Sequence, residues 1–284
     1  MVIVTVLLLT ELKHTFTEFA QRMKNDEMIT LAKFLAISGI ILPMLPHKNL
    51  IPDINLTPYS IWLATVVVSG ISYLSYLLKR YVFHESGVLV SGIIGGLYSS
   101  TATISVLARK SRKASEQEAN EYVAAMLLAV SMMFLRFMIL ILIFSREIFT
   151  SIYPYLLIMS VVAAVVAWFI HSRHRRSKDM ADESEDEDSS NPLEFKVALI
   201  FATLFVVFTV LTHYTLVYAG TGGLNLLSFV SGLSDITPFI LNLLQNTGSV
   251  AVLVVVACSM QAIISNILVN MFYALFFAGK GSKL

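Results

Sequence analysis

A few polar residues lie inside otherwise apolar stretches of this chain, and they define the chemistry open to it. Asp235 is the one carboxylate well inside such a stretch, and Thr237 and Pro238 follow it. Arg136 is a cation inside another apolar stretch. A third stretch carries four hydroxyl side chains, those of Ser99, Ser100, Thr101 and Thr103. Polar groups are costly within a membrane, so each of these residues is a functional candidate if the stretches span a bilayer.

These residue types favour the binding of a small inorganic ion, with a cation ahead of an anion. Hydroxyls, one carboxylate and the carbonyls of a broken helix are hard oxygen ligands, suited to Mg²⁺, Na⁺ or K⁺. Three roles remain open for Asp235: a ligand for a metal ion, a carrier of H⁺, or the N-cap of a helix that begins at Pro238. Arg136 has three candidate roles as well: pairing with Asp235, binding an anion, or clamping a helix break by donating to its carbonyls. The clamp is favoured.

Two asparagines near the end of the chain extend the candidate set. Asn266 and Asn270 are one helical turn apart, so both would face either one ion path or a neighbouring helix. No catalytic pattern accompanies them, because the sequence has no HExxH, no GxSxG and no glycine-rich phosphate loop, and Asp235 has no carboxylate partner. We therefore expect neither an enzyme nor a cofactor.

The composition places these residues in a membrane protein. Of 284 residues, 56% are hydrophobic and 14% are charged, whereas a soluble domain carries roughly 25% charged residues. The net charge of +1 offers no basic field for nucleic acid. The single cysteine, Cys258, excludes an internal disulfide and a cysteine-based metal cluster. What remains is a polytopic protein of the lipid bilayer.

Eight apolar runs approach the length of about 20 residues that a helix needs to cross a bilayer. They cover residues 28–46, 60–78, 86–108, 121–145, 151–171, 194–219, 223–245 and 249–278. We expect an apolar stub and cytoplasmic segment at 1–27, then two membrane repeats at 28–150 and 151–284. A charged run at 172–193 within the second repeat is expected to be a solvated cytoplasmic loop.

The basic residues predict that the run at 86–108 does not simply cross the membrane. Cytoplasmic loops hold most Lys and Arg, yet basic residues flank this run on both sides. If all eight runs cross, the 17 basic residues outside them divide 8 and 9; if 86–108 and 223–245 each return to their own side, they divide 15 and 2. The competing interpretation is a spanning helix, whose small residues at every fourth position would pack closely on a neighbour.

The second half of the sequence echoes the first. GIIGGLYSSTATISVL and SFVSGLSDITPFILNL share a Gly-Leu pair, and their alignment matches Ser99 to Asp235 and Thr101 to Thr237. Downstream, both halves contain Ala-x-Ser-Met. With three crossings in each half, the two copies would have opposite orientations. The candidate hairpin glycines are Gly95, Gly96 and Gly232.

Three stretches resemble a known family. VSGISYLSYLLKR, GIIGGLYSSTATISVLARKSR and GLSDITPFILNL are similar to the bacterial membrane domain that commonly follows an MgtC/SapB domain, known as domain of unknown function family 4010 (DUF 4010). The resemblance covers nearly the whole chain and implies an inner-membrane protein associated with Mg²⁺ transport, with matching residues at Arg136, Asp235 and Asn266. Ser131 and Asn270 stand where the family pattern has an Asn and a Lys. The chain is expected to lack the usual N-terminal MgtC-like domain.

The sequence thus predicts an all-α polytopic membrane protein with about six spanning helices and two re-entrant or broken helices in an inverted repeat. The expected function is that of a transporter or channel for a small inorganic ion, with a cation such as Mg²⁺, Na⁺, K⁺ or H⁺ favoured. The alternative is a regulatory or scaffolding membrane protein that acts with an MgtC-like partner and transports nothing. We expect a multi-pass protein of a bacterial or archaeal cytoplasmic (inner) membrane, with a homo-oligomer as an option and no nucleic-acid partner.

Overall fold

The structure is a computed structural model, and it describes residues 25–52, 54–82, 87–112, 114–173, 195–245 and 250–278. Most of the expected N-terminal stub, including MVIVTVLLLT, and nearly all of the charged loop at 172–193 lie outside the described residues.

The described part of the chain is built from helices and contains no strand. The helices are α1 (Asn25–Met44), α2 (Pro58–Leu77), α3 (Val88–Lys110), α4 (Glu116–Phe144), α5 (Arg146–Arg173), α6 (Phe195–Ser231), α7 (Ile236–Gln245) and α8 (Val252–Phe277), with a π-helical turn at Leu78–Val82 after α2. All except α7 are long and apolar enough to cross a membrane. This confirms the predicted class, a multi-pass α-helical membrane protein.

Local sequence signals explain where several helices begin. Thr57 precedes α2 and forms a capping box with Ser60, while Pro58 occupies the first turn, where its missing N–H costs nothing. Ser115 and Glu118 form the same reciprocal cap at the start of α4. These caps satisfy backbone N–H groups that would otherwise lack partners at the helix ends.

Helix α3 folds back on itself in the middle. Ser99 has an extended backbone (φ −157°, ψ 106°) inside the helix. A Cβ atom placed on Gly95 would lie 3.2 Å from the Cβ of Thr103, although residues eight positions apart in a continuous helix are about 12 Å apart. Val88 and Ala108, near the two ends of α3, also share one buried cluster. The chain therefore reverses at Ser99, between half-helices at 88–98 and 100–110.

Glycines let the first half of α3 pack directly on α4. A Cβ on Gly92 would meet the backbone of Ala125, and a Cβ on Gly96 would meet the backbone of Ala129. The small residues therefore do pack closely on a neighbouring helix, as the competing interpretation expected. They do so in a helix that folds back. Both contacts advance by four residues along each helix, so the two helices run parallel here.

A second break follows α6. Gly220 has a positive φ of 58° inside α6, a backbone conformation that glycine adopts without strain. The chain leaves helical geometry again at residues 232–235, before α7. The predicted apolar run at 223–245 is therefore two half-helices on either side of a short non-helical segment, joined at Gly220 to the preceding crossing helix.

The two folded-back elements approach α8 from opposite ends. Arg109, at the end of α3, lies 4.7 Å from the ring centroid of Phe277, at the end of α8. In contrast, the Cys258 thiol, near the start of α8, is 3.5 Å from the side-chain Oδ1 of Asn225 at the beginning of the second element. The end of the first element and the beginning of the second therefore lie at opposite ends of α8, and the breaks meet between them.

A buried charge pair fastens α1 to the end of α2. Glu27 is 6% exposed, and its Oε1 is 2.7 Å from the Nη1 of Arg80. The same oxygen accepts a hydrogen bond from the Tyr76 hydroxyl (2.8 Å), and the Tyr81 hydroxyl donates to Oε2. Because a buried carboxylate needs partners, this cluster fixes the first described helix against the bundle.

The fold-back of α3 predicts a disulfide between cysteines placed at positions 95 and 103. Gly95→Cys and Thr103→Cys, introduced together with Cys258→Ala, should become linked on mild oxidation because their Cβ atoms are within the reach of one disulfide. Protection of both thiols from a maleimide reagent, seen as the absence of a gel shift, measures the link.

The matched control for this cross-link is Ala125→Cys with Met133→Cys. These two residues are also eight positions apart, but they lie on the unbroken α4. A linked control pair, or an unlinked pair in α3, would contradict the fold-back.

The glycine contacts predict a stability difference between two similar substitutions. Gly96→Ala should lower the free energy of unfolding by about 1–3 kcal/mol through overpacking, since its Cβ would lie 2.5 Å from the Ala129 Cα. Gly70→Ala in α2 has open space around it, and should be neutral or stabilising by up to about 1 kcal/mol. Thermal unfolding in detergent compares them, and equal midpoints would argue against the close contact.

Candidate functional site

A cavity of about 510 Å³ lies where the break in α3 meets the break at 232–235. Its polar wall comes from five parts of the chain and comprises Ser69, Ser72, Tyr98, Ser99, Ser100, Thr101, Arg136, Ser234, Asp235, Thr237, Asn266 and Tyr273. Apolar side chains such as Phe137 and Leu204 complete the wall. The cavity is therefore a polar space inside a mostly apolar helical body.

At both breaks a side chain caps the half-helix that follows. The Ser99 hydroxyl accepts a hydrogen bond from the Ala102 N–H (3.4 Å), and Asp235 Oδ1 accepts one from the Thr237 N–H (3.0 Å). The helix after Asp235 begins at Ile236 rather than at Pro238. Two helix N-termini, each with a partial positive charge, therefore face one cavity.

At both breaks another side chain donates to the last carbonyls of the half-helix that precedes. Arg136 Nη1 donates to the Tyr98 carbonyl oxygen (2.8 Å), which is the contact that the clamp interpretation describes. Asn266 Nδ2 donates to the Gly232 carbonyl oxygen (3.2 Å). These bonds matter because an unpaired carbonyl at a helix break is costly away from water.

Asp235 and Arg136, which are both described residues, line the same cavity but form no salt bridge with each other. Asp235 is exposed to the cavity. Among the described residues, the guanidinium has one hydrogen-bond acceptor, the Tyr98 carbonyl, and its Nε is buried without a partner. Both charges thus remain open to a mobile ion.

Four hydroxyl groups in the wall have no hydrogen-bond partner among the described residues. They belong to Ser69, Ser72, Ser100 and Thr237, which are 7%, 8%, 8% and 3% exposed. Thr65 and Ser75, on the same helix as the first two, instead donate to carbonyls four positions earlier in α2. Within α2, the hydroxyls that face the cavity are therefore the free ones, because Thr65 and Ser75 satisfy themselves locally.

The cavity wall reaches toward one end of the bundle. It includes Val197, near the start of α6, and Tyr273, near the end of α8, which is the end where Arg109 lies. In the other direction it does not pass Thr237, and the next residues of α7 are buried, with Phe239 packed against Phe208 at 5.6 Å. A packed apolar layer therefore closes the opposite side.

The structure brings most of the predicted site residues together. Those in the cavity wall are Gly96, Ser99, Ser100, Thr101, Arg136, Asp235, Thr237 and Asn266. Thr103 lies outside the wall because it packs on Gly95 across the fold-back. Asn270 lies outside as well, with its Nδ2 bound to the Asn266 Oδ1 at 3.2 Å, and Gly232 packs against Ser265.

Sequence reasoning missed Ser69 and Ser72. They recur every three residues with Ser75 in an otherwise apolar helix, and such recurrence of hydroxyls on one helix face is a usable signal. Tyr98, Ser234 and Tyr273 were also missed. The two tyrosines gave no such signal, because aromatic residues are common in an apolar chain.

No group of three or more His, Cys, Asp or Glu side chains that could hold a metal ion occurs among the described residues. A metal ion in the cavity would therefore rely on Asp235, hydroxyls and water. That is a weak, exchangeable ligand set rather than a permanent structural site.

Taken together, the fold and the cavity define a polytopic α-helical membrane protein with two broken helices around a polar interior site. The chain belongs to the family described as Domain of unknown function (DUF4010), whose sequence profile matches residues 66–278. That match covers both breaks and the complete cavity wall.

One relative is a protein of Aquifex aeolicus (strain VF5) described as "Uncharacterized protein". It is 27% identical over 200 residues, which are 69% of this chain and 85% of that protein. No solved structure matches the chain.

The clamp at Gly232 predicts an asymmetric response to substitution. Asn266→Leu removes the donor to the Gly232 carbonyl and the acceptor for Asn270, and each unpaired group costs about 1–3 kcal/mol. The midpoint of thermal unfolding in detergent should therefore fall. Adding Asn270→Leu removes one of the two unpaired groups and should restore part of the loss, whereas simple additivity of the two losses would contradict the arrangement.

Proposed function

We propose that this protein transports a small inorganic ion across a membrane through the cavity between its two helix breaks. The observation that carries the proposal is the meeting of both breaks at one cavity with a polar wall. Non-helical backbone at membrane depth is tolerated where it lines a wet cavity or is buried in protein. A regulatory or scaffolding protein would need no such cavity, and a packed, dry junction would suit it better.

We infer further that the two halves form an inverted repeat with six crossings and two re-entrant elements. Three observations support this. The elements start from opposite ends of α8, each is capped at its break by one of the aligned residues Ser99 and Asp235, and each has its preceding carbonyls held by a neighbouring helix. Transporters built from such repeats place the ion site at the interface of the two copies.

Asp235 is the residue that we assign to a transported cation, either H⁺ or a metal ion. Its Oδ1 is engaged by the Thr237 N–H, and its side chain is exposed to the cavity. A carboxylate with hydroxyls around it is the one full negative charge in the described wall, so a cation would be attracted there.

The orientation follows from the basic residues. The end of the bundle with Arg109 and Lys110 should face the cytoplasm, and this is the end that the cavity wall reaches. We place the protein in a bacterial or archaeal inner membrane, and an MgtC-like protein is a proposed partner there.

Flux measurements in proteoliposomes test the proposal. Wild-type protein should carry at least one of H⁺, Na⁺, K⁺ or Mg²⁺ down an imposed gradient. Asp235→Asn should lower that flux about tenfold or more, because a contact with a charged group contributes about 1.5–3 kcal/mol.

Glu147→Gln is the matched control, since Glu147 is an exposed carboxylate at the start of α5, outside the cavity wall. Its flux should equal that of the wild type. Equal flux for Asp235→Asn would remove Asp235 from the mechanism, and absence of flux for every ion would refute transport.

A further inference from the structure

Part of the cavity wall is suited to an anion. The backbone carbonyls that a cation would use at a broken helix are partly occupied, because Arg136 donates to Tyr98 and Asn266 donates to Gly232. The positive ends of two half-helices, at 100–110 and 236–245, also lie at the breaks, although Ser99 takes the Ala102 N–H and Asp235 takes the Thr237 N–H there. Such N-termini favour negative ligands.

Buried hydroxyls add a second, independent set of donors. Ser69, Ser72, Ser100 and Thr237 are each more than nine-tenths buried, line the cavity and have no partner among the described residues. These four hydroxyls come from three separate elements that converge on one space. Their convergence favours a polar ligand that binds to all four hydroxyls.

The charges in the wall also favour the binding of an anion. Among the described residues Arg136 has one hydrogen-bond acceptor and no salt bridge to Asp235. If a cation neutralises Asp235, the guanidinium remains uncompensated in a mostly apolar body. An anion would restore neutrality there, where electrostatic interactions are stronger than in water.

We propose that the cavity binds a small inorganic anion, held by Arg136 and by the hydroxyls of Ser69, Ser72, Ser100 and Thr237. This inference rests on the proposed function and deepens it: the anion occupies the donor-rich part of the wall, and the cation occupies Asp235. Each ion lowers the electrostatic cost of the other, so their affinities must rise together by the same factor.

Titration calorimetry on the full chain in lipid nanodiscs tests this. The probes are the sodium salts of chloride, nitrate, sulfate and phosphate at constant ionic strength, with gluconate as an anion too large for a compact site. At least one small anion should bind saturably. Ser72→Ala should weaken that binding about tenfold, because a hydrogen bond to a charged group is worth about 1.5–3 kcal/mol.

Ser75→Ala is the matched control, since its hydroxyl is 4% exposed on the same helix and donates to the Ile71 carbonyl. Its affinity for the anion should stay unchanged. Arg136 is left intact in these variants, because it also holds the Tyr98 carbonyl.

Three outcomes would count against the anion site. If cation flux occurs but none of the four anions binds, the anion inference is overturned while the proposed function stands. If Ser72→Ala and Ser75→Ala weaken binding equally, the anion does not use the cavity wall. If neither binding nor flux occurs, the proposed function fails as well.

Discussion

The structure depends on one constraint: backbone groups freed where a helix breaks inside an apolar body need partners from the protein. Both breaks meet it in the same way. A capping side chain, Ser99 or Asp235, takes an N–H of the following half-helix, and a donor from a neighbouring helix, Arg136 or Asn266, takes a carbonyl of the preceding one. Breaks without these partners would be strongly disfavoured relative to straight helices, and the cavity between them would not form.

Close packing by glycine makes one of these clamps possible. Gly96 lets the first half of α3 touch α4 at Ala129, and the two segments run parallel. Arg136 lies two turns beyond that contact, and side chains on a helix point back toward its N-terminus. The long arginine side chain therefore returns to the level of Tyr98, two residues after Gly96, where the helix ends. A larger residue at position 96 would move α4 away and lengthen that reach.

The sequence was most informative about residues whose placement in a membrane costs free energy, such as charged and polar side chains. Basic residues on both flanks of α3 predicted its reversal, because a charged loop cannot be placed on either side of a membrane at will. The alignment paired Ser99 with Asp235, and the structure shows a cap at each, although a capping role was predicted for Asp235 alone. The boundary at Gly220 was located as well, because the apolar runs predicted at 194–219 and 223–245 leave a gap at residues 220–222.

Other parts of the site needed the tertiary structure. Asn266 and Asn270 have the same spacing signal, but only Asn266 reaches the cavity, because Asn270 is turned toward Asn266 itself. Thr103 differs from its neighbours Ser99 and Thr101 for a similar reason: the fold-back that its own segment makes places it against Gly95. Helical periodicity predicts which face of a helix a residue occupies. A reversal in the middle of that helix changes which neighbouring element the face contacts.

The two charged residues of the cavity wall each hold the backbone at a break, and neither is paired with the other. Asp235 uses Oδ1 for the Thr237 N–H, and Arg136 uses Nη1 for the Tyr98 carbonyl, so one hydrogen bond fixes the position of each. Were they paired directly, their charges would cancel and the wall would offer an ion little net attraction. Because the backbone at the breaks holds them apart instead, each keeps its charge toward the same space, and the ion site proposed for the cavity depends on this separation.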